Sequence, residues 1–263
     1  MRQALARFSR QSLISFKALF GWLDPKIYVL VKVINPVFQV LFFSLIAGFV
    51  NNSTDLTPWI IGNSFLLCVY NSMFGVGITL LSERFMGTLK LIIASPANKF
   101  SVFVGRGTMH IFDASFTVII GLITGYLLYG LRIPTYQLGW FSLTIIIAMF
   151  AACGLGLLIG CIGLITRDIN LLLNISSMLL LTLSGANFPI ERLPIFLQKI
   201  SYLLPLSRTI QVARLLVNNV DISMCSKLLV EEFIIGIVYI VLGYSLLRIM
   251  EKIAIQKATL DIY

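Results

Sequence analysis

GWFSLTIIIAMFAACGLGLLIGCIGLI, residues 139–165, runs for 27 positions without one charged side chain. As an α-helix it would cover about 40 Å, more than the ~30 Å of hydrocarbon in a bilayer. A helix satisfies its own backbone hydrogen bonds, which lipid cannot do, so the stretch reads as a membrane span. Comparable apolar runs occupy about 27–50, 57–81, 104–130, 169–188 and 229–250. The sequence therefore predicts an all-α integral membrane protein with six transmembrane helices. Composition agrees: 58% of the 263 residues are hydrophobic and 12% charged, against about 45–50% and about 25% in soluble domains. All of 1–263 reads as one membrane domain. No cleavable signal peptide is expected, since the first long apolar run exceeds a signal peptide's core and about 25 residues precede it.

The net charge is +9. With Lys and Arg gathered at span ends, that charge suits anionic lipid headgroups rather than nucleic acid. Cys68, Cys153, Cys161 and Cys225 lack CxxC or metal-ligand spacing, and three lie in apolar runs as packing residues. His110 is the single histidine, which excludes a multi-histidine metal site. No cofactor is expected on this chain.

Within residues 4–22, Leu5, Phe8, Leu13, Phe16, Leu19 and Phe20 gather on one side of a helix, and Arg7, Arg10 and Lys17 on the other. This predicts a basic amphipathic helix lying on the membrane surface, ended by Asp24-Pro25. Orientation follows from the basic residues. Thirteen fall on the side of the N-terminal segment, the loop after span two, Arg167 and the tail, and six on the other. Both termini are expected in the cytoplasm of a multi-pass protein of the cell (inner or plasma) membrane. Five of the six outer charges lie within 189–228, where Pro189, Pro194 and Pro205 punctuate two short amphipathic helices. Such a segment is expected to dip part-way into the membrane, over 189–217, as an extracellular re-entrant helical pair.

The loop after span two, SERFMGTLKLIIASP (82–96), places Phe85, Met86, Leu89, Ile92 and Ile93 on one arc of a helix. A helix over 83–96 could lie on lipid or press into a groove of a partner protein. Together with Ser184-Gly185-Ala186-Asn187-Phe188-Pro189, this loop resembles the ABC-2-type permease family, in its drug-exporter and nodulation-factor-exporter branch. The matching residues are Glu83, Gly87, Thr88, Leu89, Ser95 and Pro96, then Ser184, Gly185, Phe188, Pro189, Leu193, Pro194, Pro205, Leu206 and Arg214. Lys90 departs from the acidic residue often found there in that family.

The resemblance implies the ABC-2, or type V exporter, fold. It implies that 83–96 is a coupling helix, with Glu83, Arg84, Phe85, Met86, Gly87, Thr88 and Leu89 meeting a separate ABC ATPase present in two copies. It also implies a second, identical permease chain. No GxxxxGK[ST] phosphate loop occurs in the sequence, so ATP and Mg are expected on the partner and no catalytic residue on this chain. The implied function is an ATP-driven exporter of an amphipathic small molecule, lipid-like compound or peptide. The alternative is a glycan or lipid-linked polysaccharide exporter. An ion-coupled secondary transporter fits less well, for want of an internal repeat, and a membrane enzyme lacks clustered His, Asp or Ser groups.

Two stripes are candidate substrate path or gate: Asn63, Tyr70, Asn71 and Phe74 on span two, and Asn174, Ser177, Leu181, Ser184, Asn187 and Phe188 at span five. Interhelical hydrogen bonding is the competing reading. Arg106, His110 and Asp113 share a face of span three, as a buried ion pair or as a proton relay or substrate contact. Lys32 is expected to snorkel to the cytoplasmic interface.

Overall fold

The computed structural model describes residues 24–87, 99–164, 166, 168–218 and 222–257. The expected surface helix at 4–22 lies outside the described residues, as do Thr88, Leu89 and the rest of the 83–96 segment beyond Gly87.

Helices make up the regular structure of the described residues: α1 (Pro25–Asn51), α2 (Thr57–Leu66), a π-turn (Val69–Phe74), α3 (Gly75–Phe85), α4 (Lys99–Tyr129), α5 (Leu138–Gly163), α6 (Ile169–Leu183), α7 (Ile195–Leu203), α8 (Ser207–Val217) and α9 (Ile222–Lys257). Five stretches are long and apolar enough to cross a membrane: Lys26–Asn51, Thr57–Ser82, Phe100–Tyr129, Thr135–Gly163 and Met224–Lys252. They correspond to the expected spans one to four and six. The expected fifth is shorter. Helix α6 has 15 residues, about 22 Å at 1.5 Å each, because Ser184-Gly185 ends it and Gly185 takes a positive φ of 80°. Residues 184–188 then continue without helical structure.

Local signals explain the helix ends. Asp24 caps α1, its carboxylate accepting from the Lys26 N–H at 2.8 Å, with Pro25 in the first turn. Asp168 caps α6 through the Leu171 N–H at 3.2 Å. Each carboxylate satisfies an N–H that the helix itself leaves unpaired.

Helix α5 is the centre of the bundle, packed against α9, α3, α4, α8 and the π-turn. Its apolar window is 72% buried within the chain, against 17% for those of α1 and α9. Span two is buried to a similar degree, 76%, so α5 and span two form the inner pair and α1 and α9 lie outside. Close approach to α5 depends on glycine. A Cβ on Gly156 would stand 2.9 Å from the Met73 backbone, and one on Gly160 3.2 Å from Gly77. Glycines four positions apart on α5 thus let span two approach it closely.

Helix α1 attaches along one ridge, burying Lys32, Pro36, Val40 and Ser44 at every fourth position. Phe38, Phe42 and Phe49 stand on other faces, 65%, 59% and 87% exposed. In water that surface would aggregate; in a bilayer it meets its own kind of solvent.

Candidate transport site

Helices α7 and α8 have 9 and 11 residues, about 14 and 17 Å long, so neither could cross ~30 Å of hydrocarbon. Helix α8 is set into the bundle, with Leu206, Ile210, Val212, Ala213 and Leu216 fully or almost fully buried. Its entry is costly. Leu206 adopts a φ of +78°, a left-handed conformation worth about 1–2 kcal/mol against a non-glycine residue. Glu232 of α9 compensates. Its Oε1 accepts the Leu206 N–H at 2.6 Å, and Arg208 Nη1 stands 4.0 Å from its Oε2. Arg208 itself donates to Glu231 at 2.9 Å and to the Tyr202 carbonyl at 2.6 Å. Ser201 donates to the Leu183 carbonyl, tying α7 to the end of α6.

Arg214, on α8, gathers three chain segments. It donates through Nε and Nη2 to the Pro58 carbonyl at 3.0 and 2.9 Å, through Nη1 to Gly185 at 2.9 Å, and through Nη2 to Ala186 at 2.8 Å. Its fork matches this geometry as an ammonium could not. Burial lowers its pKa to about 10, opposed by the charge of Glu191, so it remains a cation at neutral pH. Asn187 completes the knot. Its Oδ1 accepts from Asn63 at 3.0 Å, its own amide donates to the Leu181 carbonyl at 3.2 Å, and its carbonyl accepts from Trp59 Nε1 at 3.3 Å.

The structure brings Asn63, Leu181, Ser184 and Asn187 together at this end. Ser184 is buried and Leu181 half-buried. Phe188 projects outward, 58% exposed. Farther along α6, Asn174 is exposed, donating to the Asn170 carbonyl at 2.8 Å, and Ser177 is half-buried. The span-two stripe takes a different direction. Asn63 is fully buried, and Asn71 donates to Thr117 of α4 at 2.6 Å. Phe74 packs half-buried against the main core. The backbone of Tyr70 lies in the π-turn, and its side chain is outside the described part. The two stripes therefore meet at Asn63–Asn187 and face different ways elsewhere.

At the other end of span two, Glu83, Arg84 and Phe85 are the last residues of α3, their side chains also outside the described part. Met86 is 69% exposed, and Gly87 turns the chain with a φ of +70°.

Lys32 does not snorkel. It points inward, 7% exposed, and pairs with Asp113, which also accepts from Tyr28. A buried carboxylate needs a partner more than a lysine needs the interface. His110 is fully buried on the same helix, its Nε2 3.5 Å from Thr79 Oγ1. Arg106 lies on this helix with its side chain outside the described part. Sequence reasoning missed Trp59, Tyr28 and Glu232 as members of these networks. For Glu232 a signal was present: a carboxylate flanking an apolar run, which in lipid implies a partner.

The matching family model is that of the ABC-2 type transporter, over residues 11–217. The chain is also 27% identical over 135 residues to the probable multidrug ABC transporter permease YbhR of Escherichia coli strain K12, covering 51% of this chain and 36% of that protein. The same figures hold for YbhR of Escherichia coli O157:H7. The match thus spans little more than a third of these relatives' length. Apolar helices of membrane-crossing length, and a family match running from residue 11 to the end of α8, make the chain a multi-pass membrane protein and a member of the ABC-2 type transporter family.

Proposed function

We propose that this chain is the permease subunit of an ATP-driven exporter, with six spans, both termini in the cytoplasm and 189–217 re-entrant from the outer face. In this reading α6 crosses with the help of residues 184–188. Two copies flank a substrate path, and a separate ABC ATPase carrying ATP and Mg docks at the 83–96 segment.

The observation that carries the reading is the open face of α6. Asn170 and Asn174 are exposed beside Ile175 and Met178, on a helix that this reading takes across the bilayer. Polar groups there call for a second polar surface or a watered path, and a second copy of the chain supplies both. The mixed polar and apolar lining, from Asn174 and Ser177 up to Phe188, suits an amphipathic cargo. The word multidrug in the name of the Escherichia coli relative supports the same class.

The test is affinity purification of the chain from mild detergent. An ATP-binding protein should co-purify in a one-to-one ratio with it, and ATP should drive release of cargo from inverted vesicles. A chain that purifies without any ATPase and moves solutes only with an ion gradient would overturn the exporter reading.

A further inference from the structure

Helix α9 is the longest among the described residues, with 36 residues from Ile222 to Lys257, about 54 Å. It contains no proline, so nothing in its sequence breaks the hydrogen-bond ladder. Span two also runs between the outer end and the 83–96 segment, but the π-turn at Val69–Phe74 interrupts it.

The inner half of α9 is gripped by the start of α4, which begins at Lys99, just beyond the 83–96 segment. The Tyr244 ring meets Phe100 edge-on with centroids 5.1 Å apart, and its centroid lies 5.9 Å from that of Phe103. Edge-on pairs are a favoured aromatic geometry. Phe103 is fully buried, and a Cβ on Gly243 would stand 3.2 Å from its Cζ.

The outer half of α9 is fastened to the elbow between α7 and α8 at three points. The Tyr239 hydroxyl donates to the Leu203 carbonyl at 2.7 Å, Glu232 accepts the Leu206 N–H at 2.6 Å, and Glu231 accepts from Arg208 at 2.9 Å. Glu232 is fully buried, and a carboxylate on a spanning helix is a costly group that marks function. Inside the elbow, Ser207 donates to the Ser201 carbonyl at 2.7 Å, and Ser201 donates to Leu183 at the end of α6. The elbow is therefore one unit, held by α9 and joined to the stretch that ends α6.

We propose that α9 is the rod that carries motion from the 83–96 segment to the outer segment 189–217, with Tyr244 and Glu232 as the positioning residues at its two ends. This deepens the exporter reading above and rests on it. Motion of the 83–96 segment moves the start of α4, and the interlocked rings pass that motion to α9. The elbow follows α9 and pulls on the end of α6.

Spin-label distances on the complex in nanodiscs test this without knowledge of the cargo. Met86→Cys with Lys252→Cys reads the inner side, and Phe196→Cys with Leu127→Cys reads the outer segment; Met86, Phe196 and Leu127 are 69%, 72% and 71% exposed. Trapping the ATPase with ATP and vanadate should shift both distances in the parent. Glu232→Ala removes the acceptor for Leu206, and Tyr244→Ala removes the ring; in each, only the inner distance should shift. Glu232→Gln keeps an acceptor oxygen and Tyr244→Phe keeps the ring, so both should restore the outer shift. A residue serving stability alone would leave the outer shift intact in the folded fraction, which gel filtration isolates. Where an alanine variant does not fold, Glu232→Asp or Tyr244→Leu takes its place under the same criterion. An outer shift equal to the parent's in either loss variant, or none in the parent with its ATPase trapped, would overturn the rod. If no ATPase co-purifies, the exporter reading fails instead, and the rod is judged at rest. Tyr244→Ala must then broaden the outer distance although Tyr244 lies about 18 Å along α9 from Glu232, and Tyr244→Phe must not; an unchanged distribution overturns it.

Discussion

Replacing Arg214 by alanine should loosen the 184–217 segment from span two. The guanidinium makes four hydrogen bonds to three carbonyls, those of Pro58, Gly185 and Ala186. At the ~0.6 kcal/mol average measured for interhelical bonds in membranes, four are worth about 2.4 kcal/mol. At ~1.5 kcal/mol, the lower figure for bonds to charged groups, they are worth about 6 kcal/mol. The true loss should lie between, since the alanine variant leaves three carbonyls short of a donor. For a chain of this size each kcal/mol moves the melting temperature by about 2–4 °C, so a drop of at least about 5 °C is expected. Fluorescence-detected gel filtration after graded heating in detergent measures it. Arg214→Lys should fall between, because one ammonium cannot reproduce a planar fork. Arg192→Ala is the control: the side chain is exposed in the same segment and should change little. An Arg214→Ala variant melting within about 1 °C of the parent would refute the latch.

Three other outcomes follow from the same geometry. Asp113→Ala strands Lys32 at 7% exposure and should lower expression sharply, by about 3–5 kcal/mol of stability; adding Lys32→Met should recover much of it, and a double variant as unstable as the single would contradict the pairing. A cysteine at Thr54 should react with an impermeant maleimide in intact cells while one at Asn98 should not, and the reverse pattern would invert the topology. Phe188→Cys, exposed on the open side of the knot, should crosslink between two copies in membranes and stop export; a crosslinked chain that exports normally would make the segment a static cap.

What the sequence determined on its own is what lipid as a solvent dictates. An uncharged run such as 139–165 has few options other than a spanning helix, because no other structure satisfies its backbone there. Small-residue spacing at Gly156 and Gly160 likewise announced close packing, though not against which helix. Family membership was legible because two short motifs occur in order, one after span two and one after span five. The tertiary structure decided which polar group meets which. Lys32 and Asp113 lie 81 positions apart and Asn63 and Asn187 124 apart, and helical periodicity carries no information over such distances. A stripe on a helical wheel says that a face is polar, without saying whether the face turns to a neighbour, as at Asn71, or stays open, as at Asn174. The π-turn was equally hidden. One residue of extra register leaves the apolar pattern of span two nearly unchanged.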